Sequence, residues 1–173
     1  PATAGTAADA GVPCPAPHDR RCVFAEAATA ALAAPEPWRR DRALAGIAVA
    51  QARTELFAEA AATAHGIEGA AERCFALGMV GALQGDPWLL DAARAAADSI
   101  ADPFERDEAL TDLAVTQARD GAADAARRTA GGIADPWLLA VALGEIATAS
   151  GDLALFAEAL ETAGDIPDPG LRS

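Results

Sequence analysis

From about residue 20 onward the same residue types return every 33 positions, and this spacing constrains the fold more than any other feature of the chain. Ile67, Ile100, Ile133 and Ile166 share one lattice; Leu44, Leu77, Leu110 and Leu143 share a second; Pro37, Pro103, Pro136 and Pro169 share a third. The tetrapeptide Phe-Ala-Glu-Ala recurs at 24–27, 57–60 and 156–159. A period of 20 to 50 residues marks a stack of supersecondary units, each of which buries its apolar face against its neighbours. The units read as 35–67, 68–100, 101–133 and 134–166, with partial units at both ends. Residues 1–19 read as a flexible Pro/Ala-rich leader, and 20–173 as the repeat region.

Each unit opens with an acid and a proline: Glu36-Pro37, Asp102-Pro103, Asp135-Pro136 and Asp168-Pro169. Such a pair starts a helix, because the acid caps free amides and proline fits the first turn. The unit beginning at 68 has Glu68-Gly69 instead, a weaker start. Apolar residues then follow at helical spacing, as in Ala109, Leu110, Leu113, Ala114 and Gln117. A turn comes next, marked by Thr54, Gly85-Asp86-Pro87, Asp120-Gly121 and Gly151-Asp152. The second half of each unit reads as another helix, with the stripe Phe156, Ala159, Ala163 and Ile166 on one side. The expected unit is therefore a helical hairpin of roughly fourteen plus twelve residues, the same in every copy.

Alanine stands at 27, 60, 93, 126 and 159, and again at 31, 64, 97, 130 and 163. A small residue repeated at one place marks a close crossing of backbones. Composition agrees with such a fold. Alanine makes up more than a quarter of the chain, and it is the strongest helix former. Because alanine buries little area, stability must come from many close helix contacts. A heptad coiled coil is ruled out by the period and by the proline in nearly every unit. The Thr-Pro-Leu-His signature of ankyrin repeats is absent.

The pattern resembles the tetratricopeptide family, and most of all its degenerate bacterial relatives that read Asp-Pro-x-x-Arg-x-x-Ala-Leu, as in Asp102-Pro103, Arg106 and Ala109-Leu110. The resemblance spans 20–173. It is carried by Ile47, Val80, Leu113 and Ile146, by the small residues after them (Ala48, Gly81, Ala114, Ala147), and by alanine at 60, 93, 126 and 159. The unit is one residue shorter than usual, and Gln51, Gln84 and Gln117 stand where the family has aromatic residues. The resemblance implies a right-handed α-solenoid of about four and a half helix-turn-helix repeats. It also implies that the first helix of each hairpin lines a concave face.

On that face would fall Arg42, Gly46 and Val49; Phe75, Gly78, Met79 and Ala82; Glu108, Asp112 and Val115; and Val141, Gly144, Glu145 and Thr148. This describes a groove with an apolar centre at Phe75 and Met79 and an acidic far end. A peptide or basic helix would lie in it, anchored at those two residues; the competing reading packs both between neighbouring helices. Arg40, Arg73 and Arg106 share one lattice position and are expected to tie to acids or helix-end carbonyls of adjacent hairpins. Trp38, Phe104 and Trp137 share another and are expected to pack between repeats. Trp88 departs from the lattice in Asp86-Pro87-Trp88, which makes it a candidate partner contact.

A net charge of −13 argues against a nucleic-acid partner, since phosphate binding needs basic patches. No run approaches the ~20 apolar residues of a membrane span. No charged-then-apolar signal segment opens the chain, which favours a cytoplasmic location, while a start at Pro1 rather than Met leaves room for a removed leader. Cys14, His18 and Cys22 lack a fourth ligand and a usual zinc spacing, so neither a metal nor any other cofactor is expected. A Cys14–Cys22 disulfide remains open. His18 and His65 are the only histidines, and the chain has no Gly-rich phosphate loop and no nucleophile elbow. The expectation is thus a non-catalytic scaffold that binds a protein or peptide. The alternatives are a structural segment that self-associates through open repeat ends, and an acidic inhibitor of a basic protein.

Overall fold

The computed structural model describes residues 19–164, so Cys14, His18, Ile166 and the Asp168-Pro169 pair lie outside it. Among the described residues every regular element is an α-helix: α1 (Arg20–Leu32), α2 (Pro37–Arg53), α3 (Phe57–His65), α4 (Ala70–Gln84), α5 (Pro87–Asp98), α6 (Pro103–Arg119), α7 (Ala123–Ala130), α8 (Pro136–Ser150) and α9 (Leu153–Gly164). None is long and apolar enough to cross a membrane.

Local chemistry sets the helix ends. Asp86 accepts from the Trp88 amide, Asp102 from those of Phe104 and Glu105, and Asp135 from that of Leu138, each followed by proline in the first turn. Glu36, expected to cap α2, makes no side-chain cap bond; its longer side chain does not hold the geometry that aspartate reaches. Gly85 and Gly151 end α4 and α8 at φ near +70°, a conformation in which a β-carbon is strained.

The helices pair as antiparallel neighbours in sequence: α2 with α3, α4 with α5, α6 with α7, and α8 with α9. The first helices of consecutive hairpins also pack together, α2 on α4, α4 on α6 and α6 on α8. The lattice leucines 44, 77, 110 and 143 are all buried between these layers, as are Ile67 and Ile133. Ala60, Ala93, Ala126 and Ala159 are buried where the two helices of a hairpin meet. Ala126 is fully buried, so Ala126→Leu is expected to cost about 1–3 kcal/mol by overpacking. An unchanged thermal midpoint would count against a close crossing there.

The hairpins are not the equal copies that the 33-residue period suggests. The first and third have first helices of 17 residues and second helices of 9 and 8, joined by three-residue turns with Glu55 at φ 65° and Gly121 at φ 84°. The second and fourth pair 15 residues with 12 through the two-residue turns at 85–86 and 151–152. The repeating unit is therefore a pair of hairpins, 66 residues long by the step from Asp41 to Asp107. The stripe of α9 also departs from the expected one. Leu155 and Ala159 face inward, while Phe156 and Ala163, expected inside, are exposed. Ala97, the equivalent of Ala163 in α5, is fully buried, so this exposure belongs to α9 and not to the turn length.

Trp38, Phe104 and Trp137 do not pack between the repeats as expected. They are 58%, 50% and 56% exposed, and the Arg39 guanidinium lies 5.1 Å from the Trp38 ring centre. Each sits in the first turn of its helix, directly after the proline, largely open to solvent.

Candidate functional site

Two bonding devices hold the first helices side by side, and both belong to the first and third hairpins. Asp41 on α2 is buried; its carboxylate accepts from the Gly69 amide at 2.6 Å and from Arg40 Nε at 2.9 Å. Asp107 on α6 repeats the arrangement, accepting from the amides of Ala134 and Asp135 at 2.9 and 2.8 Å and from Arg106. Each carboxylate thus ties its helix to the start of the next hairpin. Asp41 takes the Gly69 amide at the one start that lacks an acid-proline pair. Burial pushes both carboxyls up, but the arginine and backbone amides outweigh it and hold both below the ordinary aspartate value. The same lattice position holds Cys74 in α4, where burial raises the thiol to about 11, so it is neither a cap nor a thiolate.

The second device is an amide clasp. Gln51 accepts from the Thr63 hydroxyl at 2.8 Å, and Gln117 accepts from that of Thr129 at 2.8 Å. Gln117 also donates to the carbonyl of Gly78 at 3.0 Å, joining α4, α6 and α7. Neither device is visible at a 33-residue step, but both recur at twice that step, in Arg40-Asp41 with Arg106-Asp107 and in Gln51-Ala52-Arg53 with Gln117-Ala118-Arg119.

Held in this way, α2, α4 and α6 line a trough that Phe24 of α1 borders at one end. It consists of two adjoining cavities of about 480 Å³ each. One is lined by Arg42, Gly46, Glu72, Phe75, Asp112, Val115 and Arg119, among others. The other is lined by Phe24, Val49, Ala50, Arg53 and Thr54. Gly46, Phe75 and Thr116 border both and so mark the centre of the trough. At Gly46 a β-carbon would meet nothing within 4 Å, which leaves an open notch beside the Phe75 ring. Arg53 bridges to Asp120 at 2.6 Å, from the end of α2 to the end of α6, and Arg119 bridges to Glu145 at 2.8 Å.

The trough collects Arg42, Gly46, Val49, Phe75, Asp112 and Val115 from the residues singled out in the sequence. Others fall elsewhere. Met79 is fully buried and cannot anchor a ligand. It belongs to the buried core together with Leu110, Leu113 and Ile133, and beside it Gly78 lets Leu113 of α6 approach within 2.4 Å of where a β-carbon would stand. Ala82 lines a different groove, between α5 and α7. Trp88 is 80% exposed at the start of α5. Glu108 is exposed on α6 outside the cavity linings, and Glu145 meets the trough only through Arg119. Glu72, Thr116 and Arg119 were missed, because position within a helix does not reveal which neighbour leans across it.

The arginine lattice is engaged by the protein itself. Arg40 bonds Glu68 at 2.6 Å, and Arg73 donates to the carbonyls of Ile67 and Glu68 at 3.1 and 3.0 Å. Arg106 holds Asp107 of its own helix rather than an adjacent hairpin. Among the described residues no group of three or more His, Cys, Asp or Glu is placed to hold a metal. No protein-family model matches the chain, and neither a curated protein nor a solved structure matches it.

Proposed function

We propose that this chain is a tetratricopeptide-like, right-handed α-solenoid that binds a peptide or protein segment in the trough of α2, α4 and α6 and performs no chemistry. The observation that carries the reading is the open notch at Gly46 between two adjoining cavities. A glycine inside a 17-residue helix costs about 1 kcal/mol relative to alanine, and here no neighbour needs the space. An extended ligand does use such space, laying a bulky side chain against Phe75 while its polar groups meet Arg42 and Asp112.

The test pairs two substitutions. Gly46→Ala is expected to raise stability by about 0.5–1 kcal/mol in a denaturant titration. Gly46→Phe is expected to leave the fold intact and to cut the affinity of peptides selected on the wild-type chain from a random display library by at least about tenfold. Equal binding of those peptides by Gly46→Phe would remove the trough as their site.

A second reading, a segment of a larger assembly, is favoured by α9, where Leu153 and Leu160 are 80% and 75% exposed on the side of Phe156. A monomer in light scattering at high concentration would count against it.

A further inference from the structure

The opposite side of the molecule carries a second cavity, which the peptide trough does not use. It lies between α5 and α7, has a volume of about 300 Å³ and is floored by Leu110 and Leu113 of α6. Leu90 and Pro87 form one wall and Ala125 the other. Two guanidinium groups stand on its flanks, Arg94 from α5 and Arg128 from α7, with Asp91 as the one carboxylate in the lining. A volume at the low end of ligand sites suits a small molecule rather than a chain.

The arginines are the informative part. The chain has 26 acidic residues and 13 basic ones, so acids are in twofold excess. Even so, Arg128 makes no ion pair or hydrogen bond with any described residue. Arg94 has only Asp98, at a long 3.7 Å. The backbone makes room for Arg94, because a β-carbon at Gly132 would stand 2.6 Å from its Nη1. The cavity exists because α7 is only 8 residues long and starts after a three-residue turn, whereas the 12-residue α5 starts after a two-residue turn. The two helices are therefore out of step and leave a gap between them, with Leu110 and Leu113 of α6 buried at its base.

We infer that the α5–α7 cavity binds a small amphipathic carboxylate, its apolar chain on Leu90, Leu110 and Leu113 and its carboxylate between Arg94 and Arg128. Guanidinium groups recognise carboxylates through paired donors, and the leucines exclude a purely hydrophilic anion. The net charge of −13 repels anions at long range, so the affinity is modest and rests on the local pair.

Isothermal titration of the full chain with octanoate, octan-1-ol and octylammonium tests this. Octanoate should bind one-to-one with a Kd below about 1 mM, and octan-1-ol and octylammonium at least about tenfold more weakly. Both arginines are solvent-accessible, so the Arg94→Gln/Arg128→Gln double variant should keep its circular dichroism spectrum and lose at least about tenfold in octanoate affinity. Leu90→Trp, which fills the cavity from one wall, should abolish binding. The inference is overturned if octanoate shows no saturation up to about 5 mM, if the double variant binds it as well as wild type, or if octan-1-ol binds as tightly. None of these outcomes bears on the peptide trough.

Discussion

Asp107→Ala is expected to lower stability by about 2–3 kcal/mol, measured by denaturant titration, because it leaves the amides of Ala134 and Asp135 without their acceptor. Asp107→Asn should recover part of this loss, since its carbonyl oxygen still accepts but without charge. The pH dependence follows from the same contacts. The folded-state pKa of Asp107 lies below its ordinary value, so its stabilisation is complete above that ordinary value and disappears as pH falls through the lowered one. The stability gap between wild type and Asp107→Asn should therefore be constant near neutrality and close below about pH 4. Comparing the two proteins cancels the relief of surface repulsion that acid brings to so acidic a chain. A gap that does not begin to narrow as pH falls below about 4 would show that Asp107 acts by shape and not by charge.

The second large effect is expected at Gln117. Its side chain is fully buried and satisfied at both ends, by Thr129 and by Gly78. Gln117→Ala removes both bonds and leaves a cavity between α4, α6 and α7, at a cost of about 2–4 kcal/mol. Gln84 occupies the same lattice position one unit earlier and is exposed, so Gln84→Ala should change stability by less than about 0.5 kcal/mol. Thermal unfolding of the two variants side by side checks the contrast. Equal effects would mean that the clasp contributes nothing beyond its position in a helix.

The local part of the fold was readable from the chain. Asp-Pro pairs place helix starts, glycines place helix ends, and the leucine lattice with Ile67 and Ile133 picks out residues that are in fact buried, while Ile100 is half-buried. The candidate site was readable only in part. Helical spacing puts Phe75 and Met79 on one face, and of the two only Phe75 reaches the trough. Met79 instead joins the buried core with Leu110, Leu113 and Ile133, and no spacing within α4 tells which residue of one face a neighbouring helix will cover. The aromatic residues after the prolines show the same limit. Their recurrence suggested packing between repeats, yet all three stand half exposed or more in the first turn of their helices.

The sequence by itself determined that the described chain is a series of helices, with their starts at the acid-proline pairs and their buried leucines, because capping, turn formation and helical burial depend on residues a few positions apart. The tertiary structure alone decided which lattice-equivalent residues are equivalent in fact. Asp107 caps the next hairpin while Cys74 cannot, Gln117 clasps three helices while Gln84 meets solvent, and the repeat that matters is 66 residues long rather than 33, by the step from Asp41 to Asp107. Those distinctions rest on contacts between residues 27 to 39 positions apart, such as Asp107 with Ala134 and Gln117 with Gly78, which exist only once neighbouring hairpins have stacked.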